Sequence, residues 1–408
     1  MDYEFLTAEN IPAYIASKKA LSKIVNPDKI SNIKEVGDGN LNLVFIIHDS
    51  DGGTLVLKQA LPYVRLVGPD WPMTPSRAEH EAEALRIHGE LDPAKIPVMF
   101  DYDPDRFIIA MENLSSFRVW RGAMIEGLRH EGVAEAMGEL VAEVVFGTSV
   151  LGLASKEQKE SAAASINPEL CRITEDLVFT EPYHDIGRNK VLPENQSDAD
   201  RLSADEEMRL AMADAKWLFM TKAEALIHGD LHSGSIMVRA LDGSKEGPAE
   251  ARAFDSEFAF YGPIAFDIGA MWANFTLSAA RHIAIGDESY ATWALGLVSK
   301  SWNSFEHTIR TKVKQSNQDP MWTEGFLERR LGDWMTESWL FAAAKMSRRI
   351  VGLAKVHDIE SLEPKLREGA ARGIIELSRQ IVRHRKPGVT TKQFEALAIE
   401  TLKKHSTR

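Results

Sequence analysis

The stretch that decides the fold is Ala225-Leu-Ile-His228-Gly229-Asp230-Leu-His232-Ser233-Gly234-Ser235-Ile236-Met237-Val238. It reads as a short apolar approach, a polar loop carrying His228, Asp230 and His232, and then a strand. A loop-like stretch from Leu241 to Ala249 follows, and a second strand, Ala251 to Phe254, ends in Asp255-Ser256-Glu257. Two strands joined by a short loop form an antiparallel hairpin, which returns the chain to the end it left. Asp230, just before the first strand, and Asp255, just after the second, are therefore expected to sit close together. A carboxylate able to act as a base, beside a pair able to hold a metal, is the layout that phosphoryl transfer needs.

Upstream of the hairpin the pattern is β-rich. Ile33 to Val36 and Leu43 to Ile47 read as strands flanking Gly37-Asp38-Gly39-Asn40, and Thr54 to Lys58 as a third. Pro62 to Pro75 reads as irregular and aromatic, and Ser76 to Gly89 as a helix capped by Ser76. Pro97 to Tyr102 and Arg106 to Met111 complete a small sheet of about five strands. Composition changes at Glu112-Asn113-Leu114, the expected boundary between an N-terminal lobe, 1–112, and a helical C-terminal lobe, 113–408. Apolar residues at helical spacing mark Glu131 to Leu151, Asp205 to Ala225, Asp267 to Ile285, Thr292 to Lys312, Gly325 to Val356 and Leu362 to His384. Pro182 to Ser203 is polar and reads as a long surface connection. The expected class is α+β, a small antiparallel-sheet lobe followed by a larger, mostly helical lobe that carries the hairpin.

A chain of 408 residues suits two packed subdomains. Its net charge of -12 argues against nucleic acid or an anionic membrane as the main partner, since both demand a basic face. Cys171 is the single cysteine, which rules out an intrachain disulfide and disfavours a cysteine zinc site. The start, Met1-Asp-Tyr-Glu, lacks a targeting pattern, and no apolar run approaches a membrane span. A cytoplasmic protein is expected.

Gly37-Asp38-Gly39-Asn40 lies between two strands, so it is not the dinucleotide fingerprint, which needs a helix N-terminus. Such a loop can lay its backbone N–H groups over nucleotide phosphates, and an ordinary hairpin turn is an equal alternative. Lys58 ends an apolar strand. It is either a solvated edge residue or a phosphate-gripping lysine oriented by Glu81. Asp230 is placed to accept the proton of a substrate hydroxyl, and Gly229 lets the backbone turn beside it. Asp255 and Glu257, alternating on an extended segment, would face one side and suit Mg²⁺ as hard oxygen ligands. His228 and His232 flank a glycine in a loop and read as hydrogen-bonding groups rather than metal ligands. Asp267 reads as a structural acid that caps its helix or braces the Asp230 loop. Arg348-Arg349 sits among apolar residues, which implies partial burial and an anionic or oxygen-rich partner. The span from Asp255 to Asp267 is too short for an activation loop, which argues against a protein substrate.

Gly37-Asp-Gly-Asn-Leu-Asn-Leu-Val-Phe45, Lys58-Gln-Ala-Leu-Pro-Tyr63, Val67-Gly-Pro-Asp-Trp-Pro72, Met111-Glu-Asn-Leu114, His228-Gly-Asp-Leu-His-Ser-Gly-Ser235, Asp255-Ser-Glu-Phe258, Tyr261-Gly-Pro263 and Arg348-Arg349 occur in that order. Together they resemble the 5-methylthioribose kinases, a family related to the aminoglycoside and choline phosphotransferases, with a protein-kinase-like bilobal fold. The resemblance implies a homodimer that uses ATP and Mg²⁺ to phosphorylate the anomeric hydroxyl of 5-methylthioribose in methionine salvage. Carried over by motif, Gly37, Asp38, Gly39 and Asn40 would touch ATP, and Lys58, with Glu81, would grip its phosphates. Glu112, Asn113 and Leu114 would form the hinge against adenine, and Asp230 would be the base. Asp255, Ser256 and Glu257 would line the nucleotide, with Asp255 and Glu257 on the metal. Ser235, shared with this family, stands where its relatives have a metal-binding Asn. Trp71 with its loop, and Arg348-Arg349, would close over the sugar. An aminoglycoside- or choline-type enzyme would lack that tryptophan loop and arginine pair, and a non-catalytic nucleotide-binding module would lack the base or the metal acids.

Overall fold

The computed structural model describes residues 3–37, 41–64, 68–316 and 319–405. Asp38, Gly39 and Asn40 of the glycine loop lie outside the described residues. Alternating side chains build the N-terminal sheet. Its strands are β1 (Ile30–Glu35), β2 (Asn42–Asp49) and β3 (Thr54–Ala60), then, beyond the short pair β4 (Tyr63–Val64) and β5 (Gly68–Pro72), β6 (Met99–Asp103) and β7 (Ile108–Met111). Five of these form one antiparallel sheet in the order β1-β2-β3-β7-β6. Phe45, Ile47, Leu55, Leu57, Ile108 and Ala110 cover one face and pack on Ile11, Tyr14 and Ile15 of helix α1 (Ile11–Ser17). Lys58, in register with Val44 and Ile109, projects from the other face, where helix α2 (Arg77–Leu91) lies. That second face shares its core with the rest of the molecule. Ala60, Ala82, Leu85, Ile109 and Met111 belong to the same apolar cluster as Leu140, Ile227, Ala253 and Phe266.

Beyond Met111 come β8 (Arg118–Val119), α3 (Trp120–Ile125), β9 (His130–Glu131), α4 (Val133–Thr148), α5 (Ser155–Ala164), α6 (Pro168–Thr174), α7 (Gln196–Ala204) and α8 (Glu206–Thr221). The expected hairpin is then present. β10 (Ala225–Ile227) leads into the loop, β11 (Ile236–Ala240) pairs antiparallel with β12 (Gly247–Ala253), and β13 (Phe260–Gly262) returns to β10. Helix α9 (Ala265–Ala284) follows, buried at every position but Arg281. It is wrapped by α10 (Glu288–Ser316), α11 (Glu324–Ile350), α12 (His357–Glu360), α13 (Pro364–His384) and α14 (Thr391–His405). A Cβ on Gly269 would lie 2.7 Å from that of Phe341, so a glycine lets α9 and α11 touch at the level of the hairpin. Among the described residues no helix is long and apolar enough to cross a membrane.

Four expectations need correction. The stretch 62–75 is not irregular but holds the β4–β5 pair, in which Tyr63 lies opposite Pro72; proline is tolerated on such an edge. The polar span 182–203 contains α7, and its Asn195 and Asp198 are buried. Asn195 donates to Asp198 Oδ2 and to the Glu368 carbonyl, and Asp198 pairs with Arg201 and Arg372, so paired polar groups, not solvation, explain the composition. The second hairpin strand begins at Gly247 rather than Ala251, because Gly247 N donates to Arg129 O and brings β12 alongside β9. Ser76 precedes α2 without a side-chain cap; its hydroxyl bonds Thr74 Oγ1 instead.

Candidate active site

The loop between β10 and β11 is pinned from three sides. Asp267, at the start of α9, accepts the backbone N–H groups of His228 at 2.7 Å and Gly229 at 3.0 Å, so it braces the loop. Gly229 sits at φ +80°, and a Cβ there would lie 2.1 Å from the Phe258 carbonyl oxygen, so no other residue fits. Phe254 N donates to Ser235 O at 3.0 Å, and His228 Nε2 lies 3.0 Å from Phe254 O, tying the Asp230 loop to the Asp255 turn. His228 Nδ1 accepts from Asp230 N, which places its proton on Nε2. His232 Nδ1 likewise accepts from Gly234 N, and its Nε2 lies 3.4 Å from Asp230 Oδ2. Both histidines are hydrogen-bonding groups of the loop. Ser235 Oγ is buried; it accepts from His232 N and donates towards Asp230 O at 2.8 Å, which leaves one lone pair for another partner.

On one side of this hairpin end lies an acidic group. Lys58 Nζ is 2.7 Å from Glu81 Oε1 and also pairs with Asp255 Oδ1. Carboxylate oxygens of Glu81, Asp255 and Glu257 lie within 4.8 Å of one another. The extended alternation expected for Asp255 and Glu257 is absent: Asp255 has φ +67°, and a turn, not a strand, brings the two acids together. Burial, with the charges of Asp255 and Glu257, pushes the Glu81 carboxyl up to about 7 against the opposing pull of Lys58. Burial and Asp255 raise Glu257 as well. Burial alone would lower the Lys58 ammonium, but the three carboxylates hold it above its ordinary value. Arg77, fully buried, is the second cation here. Its Nε lies 3.3 Å from Glu257 Oε2, and its other nitrogens donate to the carbonyls of Leu41, Leu61 and Thr74 and to Asn42 Oδ1. Sequence reasoning missed Arg77. Its signal is the spacing to Glu81, four residues on and hence on the same helix face.

On the other side the balance is reversed. Lys345 Nζ, from α11, lies 2.8 Å from Asp230 Oδ1 and 4.3 Å from the ring centroid of Phe266. Although burial pushes Asp230 up, Lys345, His232, Arg348 and Arg349 hold its carboxyl well below the usual range. Lys345, Arg348 and Arg349 stand three and four residues apart and share one face of α11. Arg348 is buried, and its Nε has no partner among the described residues. Arg121 adds a fourth cation, donating to Asn274 Oδ1 at 2.8 Å and lying 3.5 Å from Asp358 Oδ2. Burial draws Lys345, Arg348 and Arg349 below their ordinary values, as crowded cations require. Lys345 and Arg121 were not singled out from the sequence.

The remaining candidates are more scattered. Trp71 borders a cavity of about 700 Å³ between the β4–β5 pair and α6, with the Arg188 guanidinium 5.3 Å from its ring. Asp230, Arg348 and Arg349 do not line that cavity. At the expected hinge, Glu112 N donates to Val98 O, Asn113 Nδ2 donates to Thr54 Oγ1 at 2.7 Å, and Leu114 is buried. Ser256 is buried, and its hydroxyl has no partner among the described residues. Among the described residues, a Cβ on Gly37 would meet nothing within 4 Å.

The sequence profile of the phosphotransferase enzyme family matches residues 32–294. The methylthioribose kinase of Enterobacter sp. (strain 638) is 36% identical over 387 residues, which is 93% of this chain and 94% of that protein. The methylthioribose kinase of Geobacillus sp. (strain WCH70) is 37% identical over 372 residues, 90% of each.

Proposed function

The chain belongs to the phosphotransferase enzyme family and, within it, to the methylthioribose kinases, and on that premise we propose that it moves the γ-phosphoryl group of ATP to the anomeric 1-hydroxyl of 5-methylthioribose. The fold is α+β and protein-kinase-like, with the sheet lobe supplying Lys58 and the helical lobe supplying Asp230. The observation that carries the reading is the pairing, at one hairpin end, of an ionised Asp230 with the group of Lys58, Glu81, Asp255 and Glu257.

Asp230 is the base. A carboxylate held well below its ordinary range takes a proton only late, as the new O–P bond forms, so its first task is to orient the hydroxyl for in-line attack. Lys58, fixed by Glu81, turns its ammonium to the ATP phosphates. Gly37, Asp38, Gly39 and Asn40 cover those phosphates, Ser256 lies alongside, and the backbone at Glu112, Asn113 and Leu114 pairs with the adenine edge. The acidic group fits Mg²⁺: three carboxylates share Lys58 and Arg77 as their cations, and burial and mutual repulsion push two of them towards protonation. Asp255 and Glu257, with the remaining lone pair of Ser235, would hold the ion, which supplies charge neutralisation at the phosphates. Arg348 and Arg349 hydrogen-bond ribose hydroxyls and offset negative charge on the transferred group. Trp71 and its loop would have to move from the cavity they border, which Asp230, Arg348 and Arg349 do not line, to cover the sugar. We place the enzyme in cytoplasmic methionine salvage as a homodimer, for which the exposed Leu210, Trp217 and Met220, on one face of α8, offer an apolar surface.

An ATP-consumption assay against 5-methylthioribose, ribose, choline and kanamycin tests the assignment. Turnover with methylthioribose above the other three is expected. Turnover of another compound with methylthioribose inert would overturn the substrate while leaving the fold intact.

A further inference from the structure

We propose that Lys345 is a positioning residue for the reaction: its ammonium fixes the Asp230 carboxylate so that Oδ2, and not Oδ1, is presented to the acceptor hydroxyl. The inference rests on the reading of Asp230 as the base. Three observations carry it. The ammonium lies 2.8 Å from Oδ1, which occupies that oxygen from a helix 115 residues further along the chain. It also lies over the face of Phe266, 4.3 Å from the ring centroid. Phe266 is itself wedged between Phe219 and Phe341, with ring centroids 4.9 and 5.3 Å away, so the ring that backs the buried ammonium is held in place. The only other group against the carboxylate among the described residues is His232, whose Nε2 lies 3.4 Å from Oδ2, longer than a hydrogen bond. Arg348 and Arg349 act on Asp230 through their charge and make no hydrogen bond to it among the described contacts.

A buried ion pair is a poor device for stability, since removing two charges from water offsets most of their attraction. This one is only partly buried: Lys345 is enclosed against Phe266, while the Asp230 side chain keeps 22% of its surface exposed. Its use is geometric. A lysine is a compact point charge that grips one oxygen, whereas the planar fork of an arginine would engage both and block the base. Without the ammonium, Asp230 is free to turn towards His232 and present either oxygen.

The test is a double-mutant cycle of Lys345→Met and Asp230→Asn, with kcat, both KM values and ATP affinity measured for each variant. Lys345→Met is expected to lower kcat about 10²-fold with ATP affinity retained, the scale set by loss of alignment in a reacting pair. In the Asp230→Asn background the same change should alter kcat less than about threefold, because the carboxylate it positions is gone. Fully additive losses would overturn the proposal, since Lys345 would then act independently of Asp230, and so would near-normal kcat in Lys345→Met. Full activity in Asp230→Asn alone would instead refute the base assignment, a separate result. Retained ATP affinity reports folding, and if Lys345→Met does not fold, Lys345→Gln carries the same cycle.

Discussion

Glu81 and Glu257, buried on one side of the hairpin end, and Asp230, partly exposed on the other, are carboxylates whose pKa values are shifted in opposite directions. Burial pushes all three up. Around Glu81 and Glu257 the neighbours include another carboxylate, Asp255, so that three carboxylates face two cations, Lys58 and Arg77. Around Asp230 the neighbours are Lys345, Arg348 and Arg349, and the balance is cationic. On the proposed function, this difference in charge matches what each side would receive. The acidic side suits a metal-bound nucleotide, and the basic side suits an acceptor that gains negative charge as it reacts.

The hairpin end couples the two sides, and breaking it should have the largest effect. Gly229→Ala would place a Cβ 2.1 Å from Phe258 O at φ +80°. A loss of about 3 kcal/mol in unfolding free energy, together with loss of turnover, is expected from strain and clash at such a position. A variant with normal melting and normal rate would show that the loop is not held this way.

Asp230 sharpens the comparison through pH. Its folded value lies below the ordinary 3.8, so the stabilisation of its charged form is fully present above 3.8 and is lost only as pH falls through the depressed value. The acid limb of kcat should therefore not come from Asp230 anywhere above about pH 4. A limb near neutrality that disappears in Asp230→Glu would contradict this.

The smallest effect is expected at the seam between the sides. His88, on the same helix as Glu81, is buried with Nε2 2.9 Å from Leu226 O, and burial draws its ring down to about 4. The unfolded chain takes up a proton near 6.5 and the folded one does not, so stability falls as pH drops from 6.5 towards 4. His88→Asn should flatten the unfolding free energy across that window by an amount on the order of 2 kcal/mol. An unchanged slope would place the acid sensitivity elsewhere.

Local pattern made the sheet, the hairpin and the long helices legible, because alternation and helical spacing are written in neighbouring residues. Lys58 and Glu81 were legible only as one of two alternatives, and the lysine read as a strand end lies inside the sheet, because β3 runs on to Ala60. Lys345 and Arg121 were not legible, since each meets its partner across the chain and its own neighbourhood is an unremarkable helix; Arg77 left one local sign, its spacing to Glu81. The turn at Asp255 was misread because a left-handed aspartate leaves no mark in an apolar bracket of phenylalanines. The helix after Asn195 was misread because Asn195 and Asp198 are buried in contact with each other and with α13, which composition does not reveal. Trp71 came from the resemblance, and the structure sets it beside a cavity that Asp230 does not line.

The division of labour between the two sides is tested most directly by calorimetric binding to Glu257→Gln and Arg349→Met, each titrated with a Mg²⁺–ATP analogue and with 5-methylthioribose. Glu257→Gln should weaken the nucleotide at least about tenfold and leave the sugar within about threefold, as loss of a metal ligand implies. Arg349→Met should weaken the sugar by about tenfold and spare the nucleotide, on the scale of one charged hydrogen bond. Equal losses of both ligands in both variants would contradict the account.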